Sequence, residues 1–181
     1  ERTAIAGLSL SLAEHALADG ARLVRPPAGR AWLAVLLPDD SHPEELAHVA
    51  VTTAREAARH GGVFSDLRAA STAAAWGAER DEALRAALAA LELADALAGQ
   101  LADGALIVLG AGQDAERLEE AAGLTLKRTG PAPAIVIGVD ALADASEHLA
   151  TEELDGGMSY RRVIGMREAP DLRRVAREPE D

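Results

Sequence analysis

The sequence contains no cysteine. Disulfide cross-links, thiolate nucleophiles and cysteine-based zinc sites are therefore excluded. Aromatic side chains are scarce, with two Trp, one Tyr and one Phe in 181 residues. Hydrophobic content is nevertheless 49%, mostly Ala, Leu and Val, so a core of useful size must form by close backbone approach rather than around large rings. No apolar run approaches the ~18 residues that cross a bilayer, and no basic stretch followed by an apolar run marks a signal peptide. The expectation is a cytoplasmic protein of bacterial type with no membrane contact. The chain begins at Glu1 rather than Met, which reads as a trimmed chain or a piece of a longer one.

Basic charge is also in short supply. Eighteen Lys and Arg stand against thirty Asp and Glu, giving a net charge of -12. A phosphate backbone needs a basic footprint, so nucleic acid is excluded as the expected partner. The exception is local: Arg161, Arg162, Arg167, Arg173, Arg174 and Arg177 gather near the C-terminus, opposed there by Glu168 and Asp171. Such a segment suits docking onto the acidic body of the same chain or of a second copy.

Periodicity places the elements. Residues 3–18 read as a helix stopped by Gly20, and residues 21–25 as a short strand ended by Pro26 and Pro27. Residues 31–38, "AWLAVLLP", are apolar almost without interruption, the pattern of a strand buried on both faces. A helix follows to His60, opened by a capping box of Ser41 and Glu44 with Pro43 in the first turn. Residues 63–76 are ambiguous, with a short helix from Asp66 capped by Ser65 as one reading. The longest helix is expected over 79–101, apolar on two sides and hence central or at a dimer contact. Strands are expected over 106–109, 124–128 and 134–139, and helices over 114–122 and from Asp140. The stretch "ALADGARLV" at 16–24 echoes "QLADGALIV" at 100–108, a helix end, a glycine and a strand in each. Together these predict an α/β domain over 1–154, with a mostly parallel or mixed sheet of about four to five strands covered by helices. Residues 155–181 form an irregular basic C-terminal hairpin or tail that packs on the core or on a partner subunit.

Three stretches carry the candidate chemistry. Gly110, Gly112 and Ala115 match G-x-G-x-x-G/A between a strand and a helix, and Gln113 lies in the same turn. Glycines there let the backbone approach a pyrophosphate, and helix N–H groups receive it. Against this, Asp114 and Glu116 would repel a phosphate, and the next stretch carries Lys127 and Arg128 where an acid is expected. The plain alternative is a tight turn with Asp114 capping the helix. Asp39, Asp40 and His42 follow the first strong strand, where open α/β sheets bind ligands. Two carboxylates there would suit Mg²⁺, and His42 a base; as ordinary turn residues they need do neither, and no metal signature is matched. Tyr160, Arg161 and Arg162 follow Gly156 and Gly157, an arrangement that can clamp a carboxylate or phosphate or simply solvate a sheet edge.

No acid, base and nucleophile converge by spacing. The primary expectation is accordingly a non-catalytic domain that senses a small anionic ligand or oligomerises, as a regulatory homodimer. The alternative is an enzyme acting on a small phosphorylated or carboxylated substrate, with Mg²⁺ through the aspartate pair. The sequence names no cofactor and no assigned metal ligand.

Overall fold

A computed structural model describes residues 2–77, 81–127, 130–156 and 158–167. In chain order the elements are α1 (Arg2–Asp19), β1 (Trp32–Leu36), α2 (Pro43–Arg59), β2 (Val63–Arg68), β3 (Ser71–Ala75) and α3 (Glu82–Ala96). These are followed by β4 (Leu106–Gly110), a 3₁₀ turn (Gly112–Arg117), α4 (Leu118–Ala122), β5 (Ala134–Gly138), α5 (Val139–Ala145), β6 (Leu149–Glu153) and β7 (Tyr160–Met166). Among the described residues one mixed sheet has the order β2-β3-β1-β4-β5-β7-β6. Only β4 and β5 pair in parallel; the other neighbours are antiparallel.

The apolar strands sort into two cores by their two-residue period. On one face Leu33 and Val35 of β1, Ile107 and Leu109 of β4, and Ile135 and Ile137 of β5 meet the helices. Helix α3 presents Ala83, Ala86, Ala87, Ala90 and Ala94 to that core, with Leu93 as its large inner side chain. Small side chains let its backbone lie close, as the composition implied, and its buried stripe is spent within the chain. On the other face Trp32, Ala34, Leu36, Leu106, Val108 and Val136 meet Val24, Leu118, Ala121 and Tyr160. Burial on both faces is why β1 and β4 read as unbroken apolar runs.

The sheet has seven strands, not four to five. The ambiguous stretch at 63–76 is the β2–β3 hairpin rather than a helix. β3 is buried on both faces, with Ala74 in one core and Ala73 in the other, so local propensity argues for helix while cross-strand pairing decides for sheet. Residues 21–25 form no strand, yet they are tied to the hairpin turn: the Ala69 N–H donates to Ala21 O, the Ala70 N–H to Arg22 O, and the Val24 N–H to Ser71 Oγ. Residues 124–127 are likewise outside any strand; Arg128 lies outside the described residues. The expected capping box does not form. His42 is the cap residue of α2, without a side-chain bond, and Ser41 Oγ donates instead to Pro38 O at 2.9 Å.

The C-terminal segment contributes β7, the inner strand of a hairpin at the sheet edge. β7 lies inside the sheet between β5 and β6, and a boundary at 154/155 falls within the β6–β7 hairpin. Gly157, Arg173, Arg174 and Arg177 lie outside the described residues.

Candidate functional site

The glycine turn is closed by its own chain. Gly110 ends β4, and a side chain there would run into the Trp32 ring across the antiparallel pair. Gly112 has φ +54, and a Cβ on it would stand 3.3 Å from Asp140 Oδ2. Asp114 is fully buried and accepts from the Ala111 and Ala141 N–H groups, each at 3.2 Å, with the Arg117 guanidinium at 3.4 Å. Asp140 accepts from the Gln113 N–H at 3.2 Å. Gly138 is glycine because a Cβ would occupy the Asp114 carboxyl. The amides that would cradle a pyrophosphate are thus engaged by two carboxylates, and a phosphate here would meet like charge. This arrangement joins the β4–α4 connection to the start of α5.

Tyr160 completes that junction. It is buried, and its hydroxyl donates to the Asp114 carbonyl at 3.2 Å. Burial, followed by the Asp114 and Glu120 charges, pushes its phenol well above the ordinary range, so it stays protonated as a donor. Burial likewise pushes the Asp114 carboxyl up, opposed by the backbone N–H groups it accepts from. Arg161 and Arg162 do not point to this turn as a clamp. Arg161 donates to Thr151 Oγ1 at 3.0 Å and pairs with Glu153 at 3.1 Å, and Arg162 stands 3.5 Å from Glu152, all on the edge strand β6.

Asp39, Asp40 and His42 lie at the opposite end of the sheet. Trp32 pairs with Gly110 and Leu36 with Leu106, so the chain leaving β1 runs away from the glycine turn. Seven residues at ~3.3 Å per residue put Asp39 on the order of 20 Å from it. The aspartate pair and the glycine turn therefore cannot form one centre. Nor do Asp39 and Asp40 fit Mg²⁺: Asp39 is ion-paired with Arg22, and among the described residues no three His, Asp or Glu side chains gather to hold a metal. His42 borders a shallow hollow of about 560 Å³ with Glu44, Glu45 and His48, where His48 Nε2 meets Gln100 Oε1 at 2.7 Å.

A larger cleft went unseen in the sequence. About 1110 Å³ opens on the sheet face away from α1, α2 and α3. One wall is residues 21–28 with the end of β2; the other is the 3₁₀ turn and α4. Arg22, Arg25 and Arg68 line the first wall, Glu116 and Glu119 the second, with Val24 and Leu118 belonging to the apolar core beneath. Arg68 holds Asp66 at 3.2 Å and Asp19 at 3.1 Å, and Arg22 holds Asp39. Arg25 is exposed, and its guanidinium makes no ion pair among the described residues. Its own backbone is fixed, because its N–H donates to Asp66 Oδ2 at 3.1 Å. The three arginines come from segments more than forty residues apart, so no local motif could have signalled them.

No family model and no curated protein matches the sequence. The fold does have counterparts. The chain superposes with a TM-score of 0.58 on a monomeric double mutant of the guanylyl cyclase domain of the RhoGC fusion protein from the aquatic fungus Blastocladiella emersonii, at 16% identity, covering 77% of this chain and 96% of that one. A non-canonical dimeric form of that domain gives 0.57 at 14% identity, covering 78% and 97%. The guanylate cyclase domain of RhGC from Catenaria anguillulae, in complex with GTP, gives 0.54 at 15% identity, covering 76% and 96%.

The chain therefore has a mixed α/β fold similar to that of cyclase catalytic domains. This corrects the primary expectation of a non-catalytic, regulatory ligand-sensing or oligomerisation domain. That expectation rested on the absence of a converging catalytic set along the sequence, whereas the fold is one that catalytic domains use. Among the described residues no helix is long and apolar enough to cross a membrane.

Proposed function

We propose that the chain is a cyclase-fold enzyme acting on a small phosphorylated substrate, with purine nucleoside triphosphates as the substrate class. The observation that carries this reading is the arginine-walled cleft of about 1110 Å³ on a fold shared with a domain described in complex with GTP. That space is large enough for a nucleotide, since small-molecule sites span roughly 300–1,000 Å³. In a cyclisation the ribose 3′ oxygen attacks the α-phosphorus, its proton leaves, and pyrophosphate departs with the P–O bonding pair. Guanidinium groups at the cleft wall would meet the charge that gathers on the phosphoryl oxygens. The working unit is read as a homodimer, supported by the dimeric form of one structural counterpart.

The test is direct. The purified chain is incubated with GTP and with ATP, with and without Mg²⁺ or Mn²⁺. Cyclic nucleotide and pyrophosphate are measured by mass spectrometry, nucleotide binding by calorimetry and mass in solution by light scattering. Expected are saturable binding within the ~1 μM–1 mM span usual for substrates and a product that accumulates with enzyme concentration. Absence of both binding and turnover for every nucleotide would sink the proposal, and a strictly monomeric mass would remove its dimer part.

A further inference from the structure

Resting on that reading of the cleft, we infer that its ligand's phosphates are held by guanidinium groups, Arg25 foremost, so that the free polyphosphate anion binds without a divalent cation. Asp39 of the expected aspartate pair is ion-paired with Arg22, and no three metal-binding side chains gather among the described residues. A triphosphate bound without a cation needs positive charge from the protein. The cleft supplies it on one wall.

Each arginine is differently placed for the task. Arg68 is already held by two aspartates, and Arg22 by one exposed aspartate that an incoming phosphate can displace. Arg25 has no such partner among the described residues, while its backbone is anchored by Asp66. A fixed stem with an unengaged planar fork is pre-organised for bidentate contact with phosphate. The facing wall carries Glu116 and Glu119. Those carboxylates repel phosphate and accept from hydroxyl and amino groups, so the cleft is polar in a directed sense. The phosphates lie toward residues 21–28 and the hydrogen-bond donors of the ligand toward α4.

The experiment titrates the full chain with GTP and with inorganic tripolyphosphate, each in Mg²⁺ and in EDTA, and repeats this with Arg25→Ala, Arg22→Ala and the remote control Arg167→Ala. GTP affinity within about threefold in the two buffers is expected, with weaker binding of tripolyphosphate, which lacks the donor end. Both should weaken as salt rises. Arg25→Ala should lose about tenfold or more, in line with loss of a charge-assisted hydrogen bond, Arg22→Ala less, and Arg167→Ala nothing. Binding that requires Mg²⁺ overturns the inference and leaves the proposed function standing. Loss no greater in Arg25→Ala than in Arg167→Ala overturns it as well. No binding in either buffer overturns both. The wild-type comparison of buffers needs no variant, so a misfolded variant, recognised by circular dichroism, does not shield the idea.

Discussion

Two regions on the chain's second sheet face invite comparison: the turn at Gly110–Asp114 and the cleft walled by Arg22, Arg25 and Arg68. The first has the recognisable sequence and the second has none. Yet the turn's polar groups are consumed internally, with Asp114 and Asp140 taking the N–H groups of Ala111, Gln113 and Ala141. The cleft keeps Arg25 without an ion pair among the described residues. The difference teaches that a motif states what a backbone can do, while the side chains that surround it decide whether anything is left to offer a ligand.

The comparison can be broken most forcefully at the turn. Gly138→Val would drive a branched side chain into the Asp114 carboxyl. Overpacking of this kind costs about 1–3 kcal/mol or more, and urea unfolding should show a loss at the top of that range. Asp114→Ala should cost about 2 kcal/mol by orphaning buried N–H donors, seen as a fall of several degrees in Tm. Arg25→Ala reverses the pattern. Stability should change by no more than about 0.5 kcal/mol, as for exposed residues generally, while polyphosphate binding falls as described above.

The smallest effect sharpens the contrast through pH. In the fold the Asp114 carboxyl titrates above its ordinary value of 3.8, because burial disfavours its charge. The folded chain then holds that proton more tightly than the unfolded chain does. Its contribution is present in full below 3.8 and is lost as pH rises through the raised folded value. The unfolding free-energy gap between wild type and Asp114→Asn should therefore narrow as pH rises from about 4 to about 7. A gap that widens over that interval would show that the carboxylate is the favoured buried form.

The sequence made β1, α2, α3, β4 and β5 legible because two-sided burial and helical spacing leave a local record in Leu, Ile, Val and Ala. The β2–β3 hairpin left a misleading one, since "AASTAAA" suits a helix until β1 pairs with Ala73 and Ala74. β7 was read as an edge because Arg161 and Arg162 are polar, although they pair with Glu153 and Glu152 on the true edge strand. The candidate site was illegible for a geometric reason. Arg22 and Arg25 follow α1, Arg68 ends β2, and their approach is set by backbone hydrogen bonds between residues 21–24 and 69–71. The echo between 16–24 and 100–108 marked similar turns that end differently, one on the hairpin and one in β4.

Those same bonds fix an order of events. The wall that carries Arg22 and Arg25 has nothing to lie against until the chain has been made past Ser71 and the hairpin has closed. Long-range closure of this kind is slow compared with helix formation. During synthesis the segment after α1 is therefore expected to wait, Arg22 and Arg25 solvated, while roughly fifty residues emerge, at about 5–20 residues per second. That wall forms only together with the hairpin, so damage to the hairpin turn is expected to slow refolding of the ligand-binding form as well as to weaken its final affinity.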